Sequence, residues 1–238
     1  MRFKYIFLLA FVVISFISCI DDTKVEFSEI NITTPKNNIV EINIPKASGV
    51  KTVAQNINST ITSGIIDYLK VGDLDTIPKS SVEDAINTFN NEYENFKTDF
   101  PESAIEWDAQ IDGEVMYHSE VVISIALTAY QNTGGAHGIL NISFLNFDVE
   151  TGKLISNENL FSDFSAFKEF AKEYFKKEIA GNEDQYFEPE KFTMPANIGF
   201  DDEGVFLLYN TYEIAPYSTG LTEIHIPFDQ VSILLNYM

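Results

Sequence analysis

The sequence predicts an α+β protein: antiparallel sheets with helices packed on one face, divided into two subdomains. Three observations carry this expectation. Apolar residues recur at three- and four-residue steps over 50–69 and 82–100; from Ala104 the period changes to two; and another helical stripe followed by a second set of strands begins near Phe164.

Taken in order, Ile39 to Ile44 reads as a strand ending at Pro45, and Val50, Val53, Ile57, Ile61, Ile65 and Tyr68 or Leu69 form one buried helical stripe. A second helix opens on a capping box of Ser80 with Glu83, carries Val82, Ile86, Phe89, Tyr93, Phe96 and Phe100 as its stripe, and ends at Pro101. Ala104 to His118, Glu120 to Gln131 and Ile139 to Asp148 read as an antiparallel meander, with Val121, Ile123, Ile125 and Leu127 sharing one face. After the turn Glu150-Thr151-Gly152-Lys153, a third helix covers Ser165 to Ala180 and is closed by Gly181. Strands at Asn197 to Phe200, Val205 to Glu213 and Leu221 to Pro227, joined through an Asp202-Glu203-Gly204 turn, and a terminal helix from Asp229 to Leu235 complete the chain. A soft boundary falls near Asn132, giving subdomains 32–131 and 132–238.

The start of the chain carries an address. Arg2 and Lys4 precede the apolar run Ile6 to Ile17, and Phe16-Ile17-Ser18-Cys19 matches the cleavage site of a bacterial lipoprotein signal, with Phe16 where leucine is usual. The segment from Tyr5 to Ser18 is shorter than the roughly 20 residues a bilayer span requires. The expectation is a signal peptide over 1–18, lipid on the Cys19 thiol and acylation of the new amino terminus, a tether over 19–31, and a protein held at a membrane of the cell envelope. Ile20 rather than aspartate after the cysteine points to the outer membrane, on its periplasmic or surface face. Asp21-Asp22 resembles the acidic tags of surface-exposed lipoproteins and equally suits a solvated linker.

The formal charge is -21, and loss of Arg2 and Lys4 with the signal would take it to -23 with no arginine left. Nucleic acid is a poor partner for such a body, since phosphate binding needs a basic patch; the charge reads first as serving solubility and mutual repulsion at a crowded membrane, and second as steering in a basic protein partner. Cys19 is the only cysteine, so once lipidated it leaves no thiol for a disulfide or a nucleophile. The core must come from packing, for which 20 Phe and 11 Tyr are an ample supply.

Chemistry could reside in two clusters. Asn132-Thr133-Gly134-Gly135-Ala136-His137-Gly138 places three glycines around one imidazole between two strands, as expected of a structural turn or of a loop that a ligand approaches closely. The second cluster is Tyr209 to Gly220; if it begins as a strand, Tyr209, Thr211 and Glu213 share a face and Tyr212 points away. His118 and His225 read as strand residues. The sequence shows no Gly-x-Ser-x-Gly elbow, no phosphate loop and no His-Glu-x-x-His helix, so a catalytic residue, a metal and a cofactor are all left unassigned. A binding surface of Gly134, Gly135, His137, Tyr212, Glu213 and Tyr217 is the first reading; a His137 and Glu213 acid/base pair is the alternative.

The loop motif, together with Asn146-Phe147-Asp148-x-x-Thr151-Gly152-Lys153, Leu160-Phe161, Phe200-x-Asp202-Glu203-Gly204 and Tyr209-x-x-Tyr212-Glu213-Ile214-Ala215-Pro216-Tyr217-x-x-Gly220, resembles the PdaC/RsiV-like extracytoplasmic domain over about Gln131 to Leu235. Ile42-x-Ile44-Pro45 and Asn56-x-Asn58 are similar to the smaller domain that commonly precedes it. The resemblance implies an envelope-facing module: RsiV-type anti-sigma factors bind lysozyme through this region, and PdaC-type enzymes carry it ahead of a separate peptidoglycan deacetylase domain. The functional expectation is therefore a lipid-anchored, non-catalytic binding module for an envelope component such as a peptidoglycan fragment, or for a basic protein such as lysozyme. An envelope glycan or peptide hydrolase using His137 and Glu213 is the alternative.

Overall fold

In the computed structural model, which describes residues 24–72 and 81–237, the first sheet holds five strands in sequence order: β1 (Glu26–Asn31), β2 (Val40–Ser48), β3 (Asp108–His118), β4 (Val122–Asn132) and β5 (Ile139–Asp148). All neighbours are antiparallel except β2 and β3, where Val40 lies opposite Ala109 and Asn43 opposite Asp112. A parallel pair needs a crossover. Helices α1 (Lys51–Tyr68) and α2 (Val82–Asp99) lie in that connection and cover one face of the sheet.

The helical stripes are where the periodicity puts them. Val53, Ile57, Ile61 and Ile65 of α1 and Val82, Ile86 and Phe89 of α2 are buried with Ile42, Ile111, Ile123, Ile125 and Leu127 of the sheet. Phe100 is an exception: it caps the C-terminal end of α2 and is 58% exposed. The capping box is displaced by one residue from the expected Ser80 and Glu83. Ser81 Oγ accepts from the Asp84 amide at 3.1 Å and Asp84 Oδ2 from the Ser81 amide at 3.2 Å, because the shorter aspartate reaches back when the helix begins at Val82. Ser80, like Cys19 and the leader, lies outside the described residues.

The expected tether over 19–31 ends early, because Glu26–Asn31 is the edge strand β1, paired with β2 from Glu26 opposite Ser48 to Asn31 opposite Asn43. β2 also runs on through Pro45 to Ser48; its pairing with β3 stops at Asn43, so the missing proline amide interrupts no bond there. β3 begins only at Asp108, four residues later than the alternation implied.

Three further strands, β6 (Asn197–Phe200), β7 (Gly204–Tyr209) and β8 (Thr222–Pro227), form an antiparallel second sheet. Helix α3 (Phe164–Ile179) packs Phe167, Ala171, Phe175 and Ile179 against Val205, Leu207, Tyr209, Ile224 and Ile226. It is capped by Asp163, whose Oδ1 accepts from the Ala166 amide at 2.9 Å. The terminal helix is shorter than expected: a four-residue α4 (Phe228–Val231), then a single 3₁₀ turn over Ser232–Leu234.

The second sheet lies against the first, on the side opposite α1 and α2, and this explains why β4 is buried along both faces from Val122 to Leu127 instead of alternating. Its odd positions meet the helices. Val122 joins the core around α3, and Ser124 Oγ accepts from the Phe200 amide at 3.1 Å. Val121, expected on the buried face, is 39% exposed in the turn before β4. The five-stranded sheet also runs across the boundary expected near Asn132: β4 and β5 pair at ten positions, from Gln131 opposite Ile139 to Val122 opposite Asp148.

Candidate functional site

Asparagine side chains fasten the second sheet to the edge of β5. Asn210, the residue after β7, accepts from the Ile142 amide at 2.8 Å through Oδ1 and donates to the Ile142 carbonyl at 2.9 Å through Nδ2, the same pair of bonds a neighbouring strand would offer. Asn146 Nδ2 donates to Ile198 O at 2.7 Å. These bonds hold the β7–β8 connection beside the loop joining β4 to β5, and the two loops meet at His137.

The first loop is shaped by its glycines. Gly134 has φ +95°, and a Cβ there would stand 2.9 Å from Ile105 Cγ2; at Gly138 it would stand 2.3 Å from Tyr130 Oη and 2.4 Å from ring carbons. The loop is therefore pressed onto the Tyr130 ring, which only a residue without a side chain permits. Beneath Gly134 lies Trp107, packed among Phe89, Tyr93 and Phe96, and its indole nitrogen has no hydrogen-bond partner among the described residues.

The second loop turns where a strand was expected. β7 stops at Tyr209, and Thr211, Tyr212 and Glu213 form a turn, so the predicted common face of Tyr209, Thr211 and Glu213 does not exist. Tyr212, with φ 71°, is the only non-glycine residue at positive φ among the described residues. An aromatic residue in this left-handed region is strained by about 1–2 kcal/mol. The Glu213 amide donates to Asn210 O at 3.0 Å, and Glu213 Oε2 accepts from the Asn210 amide at 2.9 Å; together they clamp the turn.

The clamp delivers two tyrosines to one imidazole. The rings of His137 and Tyr217 stack with centroids 3.5 Å apart and planes 19° apart. The Tyr212 hydroxyl lies 3.3 Å from His137 Nε2, and the Tyr212 ring centroid 6.0 Å from that of Tyr217. His137 Nδ1 is 3.0 Å from Gly138 O, which also accepts from the Tyr217 hydroxyl at 3.2 Å. A carbonyl can only accept, so Nδ1 carries the proton and, in the neutral ring, Nε2 accepts from Tyr212. Tyr212 is 54% exposed and Tyr217 39%, and the neighbouring Ile139 and Ile105 are 46% and 38% exposed. The result is an aromatic surface with polar tips, set on two loops and braced by backbone.

The Glu213 carboxylate is bonded to backbone. Both carboxylate oxygens are occupied by backbone amides, Oε1 by Ala196 at 3.0 Å and Oε2 by Asn210, and both imidazole nitrogens of His137 are bonded elsewhere. Of the residues grouped from sequence, His137 meets Tyr212 and Tyr217, and the hydrogen bonds of the His137 ring and of the Glu213 carboxylate go to other partners. Gly134 shapes the loop, whereas a Cβ at Gly135 would meet only His137 O, at an ordinary 3.6 Å. Asn210, Tyr130 and Trp107 were not foreseen; Asn210 next to a strand end was the one legible signal, since asparagine favours turns and backbone mimicry.

The other two histidines lie apart from this cluster. His225 Nε2 is 3.2 Å from Asp201 Oδ1. Burial works against the Asp201 charge, but amide hydrogen bonds from Glu203 and Gly204 and the His225 contact outweigh it and hold the carboxyl below its usual range. His118 sits edge-on to Phe27 at 5.8 Å, and burial, helped by the Lys24 ammonium, pushes its pKa down. Among the described residues, no three His, Cys, Asp or Glu side chains are grouped as metal ligands, and no helix is long and apolar enough to cross a membrane.

Two sheets, five- and three-stranded, with helices on their outer sides, define an α+β protein of the kind found in DUF3298 structures. Two family models match separate parts of the chain: residues 32–140 match Deacetylase PdaC, and residues 158–229 match Protein of unknown function (DUF3298). The PdaC match thus falls on the earlier segment and includes the His137 loop, whereas Tyr212 and Tyr217 belong to the later one. A DUF3298 family protein of Pseudomonas aeruginosa PAO1 is similar in structure, with TM-score 0.60 and 20% identity over 91% of this chain and 96% of that one. A member of the DUF3298 family from Bacteroides fragilis NCTC 9343 has TM-score 0.63 and 19% identity over 89% and 94%. Both likenesses establish the fold. A search of the curated proteins finds no match.

Proposed function

We propose that this protein is a lipid-anchored lipoprotein of the cell envelope, joined to the outer membrane through Cys19, and that it binds a peptidoglycan fragment or a basic protein such as lysozyme through the surface of His137, Tyr212 and Tyr217. The observation that carries the reading is the strained Tyr212, held at φ 71° so that its ring meets His137 and stays more than half exposed. Backbone strain at an exposed aromatic residue is a mark of a working surface. The formal charge of -21 supports a basic partner, which would be steered in by the long-range field. The two family segments support an envelope setting.

The test is calorimetric titration of the protein with lysozyme and, separately, with muropeptides. Saturable binding to one of them, lost in Tyr212→Ala, is expected; absence of saturable binding to both overturns the proposal. The engagement of both Glu213 oxygens by backbone favours binding over acid/base hydrolysis.

A further inference from the structure

We infer that the anchored protein stands end-on, with the turn between β3 and β4 toward the membrane and the His137 surface at the far end, facing away from it. This rests on the lipid anchor at Cys19 proposed above and follows from where the chain enters the sheet. Glu26 of β1 is opposite Ser48, the last residue of β2; β2 runs parallel to β3, so Ser48 and His118 lie at the same end. Side chains confirm the topology: Phe27 contacts His118, and a cleft of about 470 Å³ is lined jointly by Lys24, Val25, His118, Ser119, Glu120 and Val149.

The aromatic surface occupies the opposite end. β4 leaves the β3–β4 turn at Val122 and reaches Asn132, opposite Asp108 at the start of β3, and only then enters the loop that carries His137. The ten steps from Val122 to Asn132 span about 33 Å. Four residues separate Cys19 from Lys24, and the five Cα-to-Cα steps between them reach at most about 18 Å. An acyl group at Cys19 therefore fixes the Lys24 end close to the bilayer and leaves the other end unattached. Repulsion decides against lying flat, because the formal charge of -21, which becomes -23 once Arg2 and Lys4 leave with the signal, pushes the body away from an anionic lipid surface. The far end is thus presented to whatever moves in the envelope beyond the membrane, which suits a diffusing or wall-bound partner and not a lipid ligand.

The experiment uses the full chain, acylated by its producing bacterium and reconstituted into vesicles containing an acceptor-labelled lipid. Cys19 is the only native cysteine, so with its sulfur held as a thioether to diacylglycerol a new thiol in Glu120→Cys or Ala136→Cys takes a donor dye alone. Energy transfer to the membrane at least about twofold greater from position 120 than from 136 is expected for ends some 33 Å apart. Equal transfer from the two positions, or greater transfer from 136, in a preparation whose Cys19 lipid is verified by mass, overturns the orientation and leaves the anchor standing. A protein whose Cys19 is bare and which does not sediment with vesicles overturns the anchor, and the orientation with it.

Discussion

Tyr217 lies face to face on the imidazole of His137, 3.5 Å between ring centroids, although the two residues are brought from different strand connections 80 positions apart. The contact joins a loop within the part that matches Deacetylase PdaC to a loop within the part that matches DUF3298, so the aromatic surface exists only when both sheets are docked.

Tyr217→Ala should therefore act twice. Loss of the stacked pair is expected to lower stability by about 1 kcal/mol, measured as the midpoint of urea unfolding, and to abolish saturable binding in the calorimetric titration. Tyr217→Phe keeps the stack and loses only the bond to Gly138 O, and should retain most of the stability.

Glu213 separates a structural carboxylate from a catalytic one. Glu213→Ala removes two backbone partners from an exposed turn and should cost about 1 kcal/mol, with Tyr212 released from its left-handed conformation and binding weakened through that turn. Amide exchange at Asn210 and Ala196 should quicken in the same variant; unchanged exchange at both would show that the carboxylate does not clamp the loop.

Gly138→Ala places a methyl group inside the Tyr130 ring. A destabilisation of about 1–3 kcal/mol is expected from the forced displacement, and the double variant with Tyr130→Leu should recover part of it. Additive losses in the double variant, read by urea denaturation, would show that the two residues do not meet.

Asn210→Asp keeps an acceptor for the Ile142 amide and removes the donor to the Ile142 carbonyl. It should loosen the docking of the second sheet and lower stability by about 1–3 kcal/mol, whereas the same change at the exposed Asn236 amide, which holds only the carbonyls of Asn159 and Phe161, should cost less.

Acid should weaken the fold through Asp201. Its carboxyl titrates below the unfolded value of about 3.9, so its contribution is complete above that pH and is lost as the pH falls through the lower folded value. His118 titrates below its unfolded value of about 6.5, so the fold favours the neutral ring, and this contribution too is lost as the pH falls through the folded value. Urea midpoints should show Asp201→Asn converging on the wild type as the pH falls below about 4, and His118→Gln reducing the slope below about pH 6.5.

Elements governed by local periodicity were legible. The stripes of α1, α2 and α3 had to face a core, because three- and four-residue spacing puts those side chains on one side of a helix whatever the helix packs against. The hairpin turn at Asp202-Glu203-Gly204 was likewise local, closed by Asp201 Oδ1 accepting amides at 2.8 Å. Strand ends were less legible: Glu26–Asn31 has mostly exposed side chains and no core alternation, so only its ladder with β2 makes it a strand.

By itself the sequence determined the α+β class, the helical faces, and the two clusters from which a site could be built, all of which depend on residues close together in the chain. Tertiary structure alone decided that β2 and β3 run parallel, that β4 is covered on both faces, and that His137 meets Tyr212 and Tyr217 while Glu213 is held by backbone amides. The reason is distance along the chain: contacts such as Asn210 with Ile142, 68 residues apart, leave no periodic trace, and they fix which of several polar side chains share a surface.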